Sequence, residues 1–180
     1  MINKIDSNLI RPLLADLINI KQSLSRLNGT ITKLAELAFI DYLRERNLID
    51  EIDAQECAKN SAEVSAYANG YDIFISNRKI VAEIKALIPY EVTRFGGAQI
   101  QSLEKDVKGL LEGKAKAQED IKDFVKILAL LPTQDEKTFS KAVEHLIENL
   151  KKKDYKVSAK LPENNSFSKD YVYVVTIPLN

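Results

Sequence analysis

Residues 71–85 read Tyr-Asp-Ile-Phe-Ile-Ser-Asn-Arg-Lys-Ile-Val-Ala-Glu-Ile-Lys, and no other stretch constrains the chain as tightly. Two β-branched and aromatic runs, Ile73 to Ile75 and Ile80 to Leu87, flank one polar break, Ser76 to Lys79. That pattern predicts a β-hairpin. A turn centred on Asn77-Arg78 pairs residues whose numbers sum to 155. Asp72 then stands opposite Glu83, on one face of the pair, with Cα atoms about 4.5–5.5 Å apart. Lys85, two residues past Glu83, joins that face, while Ile80, Ala82, Ile84 and Ala86 take the other.

Two carboxylates that close repel, and one is pushed towards its neutral form. A divalent cation removes the conflict. Carboxylate oxygens suit a hard ion such as Mg²⁺ or Mn²⁺, with water completing the shell. A lysine beside such an ion can orient a water nucleophile or stabilise developing negative charge. The plainer alternative is an exposed Glu83–Lys85 ion pair on a solvated strand face.

Aspartate, ten residues, then Glu-x-Lys resembles the motif of the PD-(D/E)XK nuclease superfamily, to which many restriction and repair nucleases belong. The resemblance implies a restriction-endonuclease-like α/β fold with an αβββαβ core and a mixed sheet flanked by helices. It implies Asp72 and Glu83 as ligands of Mg²⁺, the Ile84 carbonyl as a further ligand, and Lys85 as a catalytic residue. One departure is that Tyr71, rather than proline, precedes Asp72.

The length, 180 residues, fits one domain able to bury a sizeable core. No apolar run approaches the roughly 20 residues of a membrane span, and no signal sequence is evident. A single cysteine, Cys57, excludes an internal disulfide and fits a reducing cytoplasm. One Cys and one His rule out a zinc site of the usual Cys/His type. Lysine plus arginine equals aspartate plus glutamate, 26 of each. That balance argues against bulk electrostatic coating of nucleic acid, but leaves a nuclease with locally placed basic groups open.

Helical spacing of Leu9, Leu13, Leu17, Ile20, Leu24 and Leu27 predicts a first helix ending at Asn28-Gly29. Thr30 is placed to cap a second, running to about Asn47. A short polar helix around Asp50 to Lys59, a strand from Glu63 to Ala68 and the hairpin follow. A loop from Pro89 to Gly97 leads to a helix from Ala98 to about Gly113. Phe124 to Leu131 is a buried strand ended by Pro132. Thr133 and Glu136 have capping-box spacing and open a helix to about Lys152. Tyr155 to Ala159 and Tyr171 to Ile177 are strands, with a polar, mobile stretch from Pro162 to Lys169 between them. From Thr30 the order matches the nuclease core as far as Leu131. The first helix, and the C-terminal helix and strands, are additions to it.

Glu36 interrupts an apolar helix face, a costly place for an unpaired carboxylate. By the resemblance it is a further acidic ligand; the alternative is pairing with Lys33 or Arg44. Gln99, or less closely Gln101, follows Gly96-Gly97 at a helix start, where the resemblance places a glutamine near the scissile phosphate. Arg94, Lys105 and Lys108 are candidate backbone contacts. Lys151 to Lys153, with Lys156 and Lys160, form the most basic stretch, whose commoner role is to complement a helix dipole. His145 has no nearby Cys or second His and reads as structural. The expectation is a Mg²⁺-dependent endonuclease acting on double-stranded DNA, of restriction type and homodimeric. A repair or recombination nuclease and a non-catalytic nucleic-acid-binding module remain alternatives.

Overall fold

The computed structural model describes residues 7–63, 70–89, 93–115, 117, 119–133 and 135–178, with backbone only for 7–19, 21, 25, 62 and 63. The hairpin forms in the expected register. Strand β1 (Ile73–Ile75) runs antiparallel to β2 (Ile80–Ala86), with Ile73 opposite Ala82 and Ile75 opposite Ile80. The turn between them closes through Lys79 N donating to Ser76 O, with Lys79 at φ 53°. Asn77 and Arg78 reach from it to the Asp53 carboxylate, fixing the hairpin to a neighbouring helix.

Two helices precede the hairpin, α1 (Ser7–Glu45) and α2 (Glu51–Glu63). The expected break at Asn28-Gly29 is absent; α1 is one helix of 39 residues. An interior glycine costs only about 1 kcal/mol relative to alanine, which a long helix absorbs. Thr30 does not cap: its hydroxyl donates to Arg26 O at 3.2 Å, within the helix. Glu63 closes α2, and the rest of the strand expected at 63–68 lies outside the described residues.

After the hairpin come α3 (Gly97–Glu112), β3 (Val125–Leu131), α4 (Glu136–Lys152), β4 (Val157–Ser158) and β5 (Val172–Thr176). The sheet order is β1-β2-β3-β5-β4, with every pair parallel except β1–β2. Helix α4 is capped by Asp135, whose carboxylate accepts from Thr138 N at 3.0 Å. Thr133 instead donates to Leu87 O at 2.8 Å.

Helices cover both faces of this mixed sheet. Phe39, Ile40 and Leu43 of α1 pack with Cys57 of α2 on the face carrying Ile80, Ala82 and Ile84. Leu103 and Val107 of α3, with Phe139 and Leu146 of α4, pack on the face carrying Val81 and Leu128. Strand β3 is buried on both sides, which is why its sequence is a continuous apolar run. Within the stretch from Pro162 to Lys169, Phe167 stacks edge-on against Tyr173 and Ser168 N donates to the Tyr173 hydroxyl. Among the described residues no helix is long and apolar enough to cross a membrane.

Candidate active site

Strand alternation carries Val81, Glu83 and Lys85 to the α3 face of β2. The first is core. The other two line a cavity of about 740 Å³ that Asp72 and Asp106 also line. Asp72 enters it at the edge of the hairpin. The β1 ladder stops at Ile73, and the Asp72 carboxylate then substitutes for a backbone partner, accepting from Ile84 N at 2.7 Å. A strand residue presents its N–H and C=O to the same edge, so the Ile84 carbonyl faces the edge where Asp72 sits.

Glu83 is 3% exposed. Its Oε1 accepts from the Lys114 ammonium, which also donates to Gly70 O. Lys85 Nζ lies 3.2 Å from Asp106 Oδ2 and 3.9 Å from Glu83 Oε2. The Asp106 oxygen is buried, and this contact is one of charge rather than an aligned hydrogen bond. Burial and the neighbouring Asp72 charge push the Glu83 carboxyl up to about 7, against the opposing pull of Lys114. Burial draws the Lys85 ammonium down, but Asp106, Glu83 and Asp72 outweigh it and its pKa is raised. Lys85 is therefore a fixed cation, and Glu83 is a carboxyl whose charge is conditional.

Three groups here escaped the sequence reading. Asp106 and Lys114 sit among other charged residues of α3 and the following loop, where they look like a solvated surface. Only the fold turns them inward. Tyr71 is 1% exposed. Its hydroxyl donates to Gly109 O at 3.2 Å and accepts from Lys114 N at 3.0 Å, and its ring lies 4.9 Å below the Lys114 ammonium. Tyr71 thus locks the residue before Asp72 to the end of α3. Gly109 leaves room for Lys114: a Cβ there would meet the lysine stem at 3.2 Å.

Other candidates are placed elsewhere. Gln99 does not line the cavity. Its Oε1 accepts from Gly96 N at 2.8 Å and its Nε2 donates to Ile88 O at 2.7 Å, so the amide ties the start of α3 to the preceding loop. Gln101 is exposed. Glu36 lies on the α1–α2 side and accepts from the Ser61 hydroxyl. Burial raises its pKa, Ser61 and Lys33 oppose, and the Asp72 charge adds to the rise. Arg44 is engaged with Asp41 and Glu51 instead. Lys105 and Lys108 stand exposed at the cavity rim. Arg94 is exposed as well.

A second cavity of about 700 Å³ is lined by five lysines, but Glu112, Asp123, Asp154 and Asp170 share its walls. Lys126 there is 2% exposed, and its ammonium donates to the carbonyls of Lys122, Phe124 and Lys169. It acts as a staple between β3 and the loop before β5. Of the basic stretch, Lys153 pairs with Glu104 and Lys156 with Asp170. His145 meets Asn149 one helical turn on. Cys57 is buried, and burial holds its thiol up at about 11.

The donor chemistry fits Mg²⁺ or Mn²⁺: two hard carboxylates, a strand-edge carbonyl, and an ion that keeps several waters. In this arrangement the described residues present no cluster of three or more acidic, His or Cys ligands. The Lys114 ammonium supplies the positive charge beside Glu83. No protein-family model matches the chain, and neither the curated proteins nor the solved structures contain a match to it.

Proposed function

We propose that this protein is a Mg²⁺-dependent nuclease of the restriction-endonuclease-like kind, hydrolysing phosphodiester bonds in double-stranded DNA. The observation that carries the reading is the meeting of Asp72, Glu83 and Lys85 in one cavity. The mixed sheet, its antiparallel β1–β2 hairpin and the parallel β2–α3–β3 crossover agree with the nuclease core that the sequence motif resembles.

Asp72, Glu83 and the Ile84 carbonyl would hold the ion. When bound it supplies charge to a phosphate oxygen and lowers the pKa of a water. The rest is done by side chains of this chain. Lys85, held as a cation by Asp106, positions the attacking water and faces the phosphate. Lys114, now paired with Glu83, would offer its ammonium to a bound phosphate. Lys105 and Lys108 at the rim hold the strand by its backbone charge. Glu36, which feels the Asp72 charge as a repulsion, would serve as an outer acidic ligand through water.

A restriction role is favoured over a repair or recombination role only by the resemblance. One observation favours a second reading, a non-catalytic nucleic-acid-binding module: Lys114 already neutralises Glu83 without an ion. Cleavage separates the two. Purified protein is incubated with plasmid, linear, branched and single-stranded DNA in Mg²⁺ and in EDTA. Cleavage in Mg²⁺ alone is expected, falling at least about 100-fold in Lys85→Ala while DNA binding is retained. Equal activity of parent and variant, or activity in EDTA, removes Lys85 and the ion from the chemistry.

A further inference from the structure

Helix α1 spans 39 residues, about 58 Å at 1.5 Å per residue. Among its described side chains, the core ones lie in the last part: Ala35, Phe39, Ile40 and Leu43 are buried against the sheet. Ahead of them Ile20, Leu24, Leu27 and Leu34 are 53–60% exposed, large apolar side chains that the described residues leave uncovered. Their spacing is regular. With Leu13, Leu17 and Ile31 they alternate steps of four and three along the sequence, without a break, from Leu13 to Leu34.

That spacing averages 3.5 residues, not the 3.6 of a straight helix lying on a sheet or a lipid surface. It is the period of a left-handed coiled-coil seam, and its natural partner is another helix. The remaining helices are already engaged: α2 packs beside α1 on one face of the sheet, and α3 and α4 cover the other. The flanking positions suit an identical chain. Taking Leu17, Leu24 and Ile31 as a, the e and g positions hold Asp16, Lys21, Ser23, Asn28 and Thr30. In a parallel pair, g meets the partner's e five residues on, so Asp16 meets Lys21 and the other facing positions are uncharged. Arg26, Lys33 and Gly29 fall outside the seam.

We infer that this protein is a homodimer, joined by a parallel, in-register coiled coil of α1 over residues 13–34. A parallel coil places both α/β bodies at the same end of the joined helices. Two copies of the Asp72–Glu83 cavity then lie side by side.

Sedimentation equilibrium of the full chain at micromolar concentrations tests this without any catalytic readout. The expected mass is twice 20.3 kDa. Leu24→Glu with Leu27→Glu is expected to give a monomer with an unchanged near-ultraviolet spectrum, because both side chains lie outside the core. Leu24→Cys, made in a Cys57→Ser background, is expected to link the two chains under mild oxidation, since a positions face each other in a parallel coil. A monomeric parent, a tetramer, a dimer that survives the double substitution, or a Leu24→Cys protein that does not cross-link overturns the inference. So does a parent that is monomeric alone and co-sediments with anionic lipid vesicles.

Discussion

Replacing Glu83 by glutamine is expected to stabilise the metal-free protein at alkaline pH and to do nothing at acid pH. Burial and the Asp72 charge raise the folded-state carboxyl from 4.5 to about 7. Below about pH 4.5 Glu83 is protonated in both folded and unfolded chains and contributes no difference. Between 4.5 and 7 the unfolded chain releases its proton while the folded one keeps it, so stability falls as pH rises. Above 7 the loss is complete. Raising the carboxyl from 4.5 to about 7 costs about 3 kcal/mol of stability once the group is ionised. The Lys114 ammonium offsets part of the cost of the charge but not all of it. Glu83→Gln has no charge to bury and escapes the loss. In a chain of this size about 3 kcal/mol moves the midpoint by roughly 6–12 °C. Urea and thermal unfolding of both proteins in EDTA, followed by circular dichroism from pH 5 to 8.5, give the difference directly. Acid groups common to both cancel in it. A variant advantage that does not grow with pH, or a variant less stable than the parent at pH 8, refutes the reasoning.

Further outcomes follow from the same contacts. Mg²⁺ or Mn²⁺ should raise the thermal midpoint, adding about 1.4 kcal/mol of stability at ten times Kd. The effect should be larger at pH 8 than at pH 6, because Glu83 must lose its proton, and Asp72→Ala should abolish it. Tyr71→Phe removes the hydroxyl that bridges Gly109 O and Lys114 N, and should cost about 1–2 kcal/mol in denaturant unfolding. Asn77→Ala withdraws one donor from the buried Asp53 carboxylate and should cost about 1–2 kcal/mol in the same assay.

How far the sequence revealed this molecule depended on how local each signal was. The hairpin register was legible because one polar break between two β-branched runs leaves a single symmetric pairing, and face alternation then follows. That same alternation brought Glu83 and Lys85 to one side of β2. The Asn28-Gly29 pair misled because a glycine's cost is local, whereas the helix around it is held by the core contacts of Phe39 and Leu43. Gln99 misled because its position at a helix start serves equally well for capping, and its two ends find backbone partners there. Asp106 and Lys114 could not have been found. Their approach to Lys85 and Glu83 is set by how α3 docks on the sheet, and charged residues on a helix carry no mark of the face they will be given.

Diffraction from crystals soaked in Mn²⁺, with anomalous differences measured at the manganese edge, tests the site itself. A single strong peak is expected between the Asp72 and Glu83 carboxylates, on the edge that bears the Ile84 carbonyl. The Lys114 ammonium should be withdrawn from Glu83, and Lys85 should stay with Asp106. No peak at saturating Mn²⁺ with Lys114 still on Glu83, both alone and with a DNA duplex bound, would contradict a metal-dependent nuclease.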